Sequence, residues 1–241
     1  MNHQMGNVDD ELERARRVYE ALADNPAYSS LYEPLRPANL FTTQERMWIL
    51  AELLRRSGVS TLAGLDILDV GCGGGGELRR LTTLGASPDR LAGIDLMPYR
   101  VEAARRILPM ARIETGSAHE MPFPDSSFDI VSQFVVFSSV VDPQVRRSIA
   151  AEMLRVLRPG GLILWWDIRK VRPTPDIVPI PMSEIRALFP GCSVRARSTT
   201  LGWKAVRIVA PRSRAAAHLL QRLPFLCSHL AAVITREPQA G

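Results

Sequence analysis

The chain is poor in cysteine, histidine and aromatic residues, and it has no long apolar run. Three cysteines among 241 residues, with no pairing pattern, exclude a disulfide-stapled fold and point to a reducing, cytoplasmic setting. No Cys or His spacing matches a metal-ligand set, so no metal site is expected. The most apolar stretch, 219–234, is broken by Gln221, Arg222, Pro224, Ser228 and His229, so no span across a membrane is expected. The first residues carry Asp9, Asp10, Glu11 and Glu13 and lack the basic-then-apolar layout of a signal peptide. No basic run is interleaved with stacking aromatics, which argues against a nucleic-acid partner. There is no internal repeat and no low-complexity tract.

What is present is a globular composition, 46% hydrophobic and 23% charged, sized for one large domain or a domain with a cap. The net charge of +5 is unevenly spread: from Ile168 onward, twelve Lys plus Arg face three acids. That asymmetry fits an anionic partner and fits equally a solvated arginine-rich face.

Periodicity predicts helices over 8–23 and from Thr42 to about 57, the second with Thr42 and Glu45 at capping-box spacing and Gly58 as a stop. Both precede the first strand, so residues 1–60 read as an N-terminal helical cap and 61–241 as the core. Strands are predicted at 66–70, 91–95, 112–115, 128–133 and 162–167, with helices at 77–84, 99–107 and 143–157 between them. This alternation specifies an α/β fold with a parallel sheet covered on both faces, and it gathers the strand C-terminal ends on one edge. Beyond a Pro-rich loop at 172–182, a short helix, a strand at 193–200, a helical insertion at 203–226 and a last strand at 230–235 complete the chain.

The run Ile67-Leu68-Asp69-Val70-Gly71-Cys72-Gly73-Gly74-Gly75-Gly76 is a buried strand feeding a glycine turn, with Gly71, Gly73 and Gly76 in G-x-G-x-x-G spacing. Asp95 ends the second strand, where an acid can accept hydrogen bonds from ribose hydroxyls. A dinucleotide enzyme shares both features. Asp69 would crowd a pyrophosphate but suits a cationic cofactor.

Together with Gly93-Ile94-Asp95-Leu96, the stretch from Gly116 to Val131 and the stretch from Glu152 to Trp166 with its Arg158-Pro159-Gly160-Gly161 turn, this run resembles the class I S-adenosylmethionine-dependent methyltransferases of the small-molecule type. The resemblance covers about 65–167. It implies a Rossmann-like, seven-stranded, mainly parallel sheet whose last strand is antiparallel. It implies that Asp69, Gly71, Cys72 and Gly73 hold the methionine portion of S-adenosylmethionine, with S-adenosylhomocysteine as the product. Asp95 would bind the ribose and Leu96 line the adenine. Ser117, Ala118 and His119 occupy the adenine edge, where relatives more often carry Gly-Asp-Ala. Gln133 and Phe134 would face the sulfonium.

The Asn-Pro-Pro-aromatic signature of amide and nucleobase methylation is absent, and Ser138-Ser139 stand where many relatives have two histidines. Candidate bases are Asp167, His119, Glu33 and Asp142, with Asp167 and His119 taken as the catalytic pair. Tyr28, Tyr32, Arg169 and Trp203 are candidate acceptor contacts, and Arg169, Lys170 and Arg172 form a basic lip. The expected acceptor is a small molecule, anionic or partly hydrophobic, methylated on an oxygen of a sugar, a natural product or an anionic precursor. Carbon or nitrogen methylation, and a non-catalytic cofactor-binding module, are the alternatives. The insertion reads as an acceptor cap, as a peripheral membrane helix or as ordinary core. A monomer or a homodimer fits equally.

Overall fold

The computed structural model describes the backbone of residues 2–31 and 33–237, and the side chains of 8–26, 30–31 and 33–237. Its sheet has seven strands, β1 (Ile67–Val70), β2 (Leu91–Asp95), β3 (Arg112–Thr115), β4 (Phe128–Phe134), β5 (Leu157–Ile168), β6 (Cys192–Leu201) and β7 (Cys227–Arg236), in the spatial order β3-β2-β1-β4-β5-β7-β6. Strand β7 runs antiparallel to β5 and β6, and the remaining pairings are parallel. This is the sheet the motifs imply. Strand order reverses between β1 and β4, so the crevice outside their C-terminal ends is the place for a ligand.

The helices are α1 (Asn2–Ala23), α2 (Pro26–Leu31), α3 (Pro37–Arg56), α4 (Gly76–Thr83), α5 (Pro98–Ile107), α6 (Pro143–Val156), α7 (Met182–Leu188), α8 (Trp203–Val209) and α9 (Arg214–Gln221). Two core layers form because successive side chains of a strand point to opposite faces. Trp165 faces the layer of α6 and α7, with its ring 4.5 Å from Phe137 and 5.9 Å from Phe189. Trp166 faces the other layer and meets Ile49 and Leu50 of α3. The unbroken apolar run of β5 is therefore a strand buried on both faces.

Helix α3 differs from the expectation in start and in place. It begins at Pro37, whose missing N–H costs nothing in a first turn, and the Thr42 hydroxyl donates back to Ala38 O at 2.8 Å instead of capping. Its apolar stripe lies on the sheet, so α3 belongs to a covering layer and not to a separate cap. Strand β5 starts five residues early and carries Pro159-Gly160-Gly161 within it. A Cβ on Gly161 would lie 2.7 Å from Asp129 O, so only glycine lets β5 pass the start of β4 there.

The insertion folds as α8 and α9, whose inner side packs Val206, Ala210 and Ala217 on Ala38 and Phe41 of α3. Its outer side exposes Ile208, Leu219 and Phe225. No helix among the described residues is long and apolar enough to cross a membrane.

Candidate cofactor site

Strand β1 ends in a turn that only glycine can make. Gly71, Gly73 and Gly75 hold φ of 68°, 53° and 79°, while Gly76 is simply the first residue of α4. The operative spacing is thus Gly71-x-Gly73-x-Gly75, two residues apart at each step, and Gly76 has no part in the turn's left-handed backbone. A Cβ on Gly71 would also lie 2.4 Å from Val136 Cγ2. The N–H groups of Gly71 and Cys72 both donate to Ile94 O, at 2.8 and 3.0 Å, which ties the turn to β2. Cys72 is a packing residue: its sulfur fills the space left by Gly93, and burial beside Asp69 and Asp95 drives its thiol pKa upward, so it stays protonated.

Asp95 secures the same turn. One carboxylate oxygen accepts from Gly73 N at 2.8 Å, and the other from Met97 N at 3.0 Å. Each oxygen keeps a lone pair for a hydroxyl. Asp69 is buried and accepts one side-chain hydrogen bond, from the Ser132 hydroxyl at 2.8 Å. Burial holds its pKa well above the ordinary carboxylate value; the Ser132 hydrogen bond opposes this, and the charges of Glu77 and Asp95 add to it. A buried acid so disfavoured as an anion is matched to a cationic ligand.

A second group at this edge comes from α3. Arg46 pairs with Glu77 of α4, and Arg80 joins Glu77 at 2.8 Å. The guanidinium lies 5.2 Å from the Trp166 ring and 6.0 Å from Phe134. Two atoms of this cluster, Arg46 Nε and Glu77 Oε2, are buried with no hydrogen-bond partner among the described residues. One is a cationic donor and the other an anionic acceptor. Gln133 behaves similarly: its carbonyl accepts from Val136 N at 3.0 Å, and its Nε2 is buried without a partner. Between them Val135 adopts φ 61°, a strained conformation for a β-branched residue. Unpartnered donors and acceptors with local strain, all beside one glycine turn, fit a zwitterionic, cationic nucleoside such as S-adenosylmethionine.

Residues 68–165 match the family model described as methyltransferase domain. The chain is 38% identical over 110 residues to a phthiotriol/phenolphthiotriol dimycocerosates methyltransferase 1 of Mycobacterium ulcerans, covering 45% of this chain and 39% of that one. It is 32% identical over 138 residues to the 2-methyl-6-phytyl-1,4-hydroquinone methyltransferase of a Synechocystis strain, covering 55% and 42%. The PH0226 protein of Pyrococcus horikoshii has the same fold, with a TM-score of 0.61 at 16% identity over 90% of this chain and 99% of that one. Residues 68–165 are thus similar to methyltransferase domains. The chain spans less than half the length of the curated relatives it matches.

Around the glycine turn, the other sequence candidates take definite places. Asp167 is fully buried. One oxygen accepts from the N–H groups of Phe137 and Ser138 at 2.9 and 3.3 Å, and the other from Ile168 N at 2.7 Å. Burial raises its pKa to about 6 against the pull of these hydrogen bonds. This geometry makes Asp167 a clamp on the loop after β4, not an accessible base, because its oxygens are spent on backbone. Asp142 is the N-cap of α6, accepting from Gln144 N at 2.6 Å and Val145 N at 3.2 Å. His119 follows β3, three strands from β4, with its Nδ1 2.6 Å from the Ser117 hydroxyl. That places Ser117, Ala118 and His119 at the β3 end of the sheet edge, away from the ends of β1 and β4. Leu96 is half-buried after β2, and Glu33 is exposed before α3.

Arg169 reaches back to the Ser198 hydroxyl of β6 at 2.5 Å, and Trp203 opens α8 with the Arg207 guanidinium 4.5 Å from its ring. Tyr28 lies in α2 with its side chain outside the described residues, and Tyr32 is itself outside them.

Three contributors escaped the sequence. Arg46 carried no signal, because it sits 31 residues from Glu77 on a helix without a motif. His229 of β7 is buried near Arg46, which together with burial pushes its pKa down to about 3, so it is a neutral imidazole. Helix α1 straps the edge: Glu11 accepts from Val141 N at 2.8 Å, Arg14 donates to Ser139 O at 2.6 Å, and the Tyr19 ring sits 4.3 Å from the Arg100 guanidinium of α5. The strap thus joins the β2 side of the cleft to the β4 side.

Proposed function

We propose that the chain transfers a methyl group from S-adenosylmethionine to an already ionised oxygen of a small-molecule acceptor. The observation that carries this is the buried Asp69 beside the Gly71–Gly75 turn, with the unpartnered Arg46 and Glu77 atoms next to it. When bound, S-adenosylmethionine supplies a methyl carbon already activated on a sulfonium. Arg46 Nε would hold the carboxylate of its methionine portion, while Asp69 and Glu77 would hold the ammonium. Asp95 would take the ribose hydroxyls on its free lone pairs. Ser117 and Leu96 would bound the adenine. A pyrophosphate set against Asp69 and Glu77 would be repelled, which argues against a nicotinamide dinucleotide.

Gln133 Nε2 is a donor, so its natural partner is an acceptor oxygen, and from the end of β4 it would orient that oxygen toward the methyl. Phe134, Trp166 and the α1 strap would exclude water. Alignment of this kind is worth on the order of 7–11 kcal/mol in well-oriented model reactions. Three of the four bases nominated from sequence are engaged elsewhere, Asp167 by backbone N–H groups, Asp142 by α6 and His119 by Ser117, and the fourth, Glu33, is exposed before α3. With these three groups engaged, the acceptor that suits the site brings its own anion, a carboxylate or an acidic hydroxyl. The relatives' names, a phytyl hydroquinone and phthiotriol dimycocerosates methyltransferase, support an oxygenated acceptor with an apolar body. The exposed Ile208, Leu219 and Phe225 of the insertion suit such a body.

Transfer from methyl-labelled donor to a panel of carboxylates, acidic phenols and neutral alcohols tests this. The expected product is labelled on the carboxylates or phenols and not on the alcohols. Label moving to alcohols with a rate that rises through an enzyme pKa would replace the ionised-oxygen reading. Donor binding with no transfer to any acceptor would favour a binding module.

A further inference from the structure

A cavity of about 760 Å³ lies between α3, β6 and α9, a volume suited to a small ligand. It does not include the glycine turn. Helix α3 stands between the two: Arg46 reaches the Glu77 side, and Glu45 lines the cavity.

The cavity has a polar floor with unmet bonding. Glu45 is 3% exposed. Its Oε1 takes all the donors offered, from the Thr199 hydroxyl, the Thr200 N–H and the Gln221 amide. Its Oε2 is buried and has no partner among the described residues, and the same holds for Gln221 Oε1. Thr200, which feeds Glu45, sits at φ 60°, unusual for a β-branched residue. Burial raises the Glu45 pKa against the pull of its Thr199 and Thr200 hydrogen bonds. A ligand hydroxyl can donate to the bare Glu45 and Gln221 oxygens.

The walls differ. Trp48 is 77% exposed and offers a broad apolar ring at the rim. Arg197 is engaged by Glu52 at 2.6 Å. Arg55 and Arg222 also line the cavity and have no side-chain partner among the described residues. Two unengaged guanidinium groups call for an anion.

We propose that this groove binds a sugar bearing an acidic group, a carboxylate or a phosphate. Ring hydroxyls meet Glu45 and Gln221, the C–H face of the ring lies on Trp48, and the acid sits between Arg55 and Arg222. The site is independent of methyl transfer, so it is tested without a methyl donor.

Titration calorimetry of the full chain with glucuronate, glucose 1-phosphate, glucose and inorganic phosphate reads the proposal. Saturable binding of glucuronate or glucose 1-phosphate is expected, with glucose and inorganic phosphate each weaker by about tenfold or more. The tighter of the two acidic sugars identifies the acid. The exposed double substitution Arg55→Ala with Arg222→Ala should weaken the acidic sugar by about tenfold or more while leaving the melting temperature unchanged. Trp48→Ala should weaken all three sugars. Glu45→Gln tests the floor, and because Glu45 is buried the arginine pair carries the decision if that variant fails to fold. No saturable binding of either acidic sugar, glucose binding equally well, or affinity unmoved by the arginine pair would each overturn the proposal.

Discussion

Glu11 Oε1 accepts a hydrogen bond from Val141 N at 2.8 Å, joining the first helix to the loop after β4 across 130 residues of sequence. The same carboxylate pairs with Arg14, whose guanidinium donates to Ser139 O and reaches Asp176 at 3.3 Å. Glu11→Ala leaves Val141 N–H and Arg14 without their shared partner, at a cost of about 1–3 kcal/mol to the docking of α1. Limited proteolysis should then cut α1 faster, and donor affinity should fall in step. Cleavage at the wild-type rate would mean that the strap is held by its other contacts.

The glycine turn gives the most localised prediction. Gly71→Ala demands a left-handed alanine, about 1–2 kcal/mol on its own. It also drives a methyl against Val136. Combining it with Val136→Ala should recover the steric part and not the backbone part. Thermal melts of the single and double variants separate the two; full recovery in the double variant would show that the left-handed backbone costs nothing there.

Asp69 predicts a proton signature of binding. Its pKa is well above the ordinary value in the free protein, and a cation bound beside it would lower it. Binding S-adenosylmethionine should therefore release a proton, and affinity should fall as pH drops through the free protein's raised value. Calorimetry in buffers of different ionisation heat measures the release, and Asp69→Asn should abolish it. Proton uptake would contradict the placement of the cation.

Asp167 predicts a slope in stability. Its pKa is about 6 in the folded protein against an ordinary 3.8, so between these values the folded state keeps a proton the unfolded chain has lost. Stability should fall as pH rises from about 4 to about 6 and level off above, by up to about 3 kcal/mol. Asp167→Asn should remove that slope, and should also cost about 1–3 kcal/mol because its amide cannot accept all the backbone N–H groups the carboxylate does. Urea unfolding across pH checks both. A variant with wild-type stability would show that the clamp on Phe137 and Ser138 contributes little.

The parts of the site legible in sequence were those made by neighbours in the chain. Asp69, Gly71 and Gly73 fall within five residues of chain, and Asp95 follows one crossover later, so spacing and strand pattern together locate them. The choice of Gly76 over Gly75 failed because periodic spacing does not report φ. Thr42 failed as a cap because Pro37 offers an equally good first turn and nothing local ranks the two. Asp167 was found at the right strand end, yet its role was invisible: whether a carboxylate serves a substrate or a backbone loop depends on what folds against it.

The sequence alone determined the α/β alternation, the glycine turn and the acids that border it. Hydrophobic period, left-handed backbone and strand-end position are local properties, and local properties are written in adjacent residues. The tertiary structure decided which distant groups complete the site. Packing α3 on Trp166 brings Arg46 to Glu77 and turns Glu45 toward a groove, and docking α1 brings Glu11 to Val141. Those pairings depend on burial and strand order, because the partners lie far apart in the chain and meet only where two elements pack together.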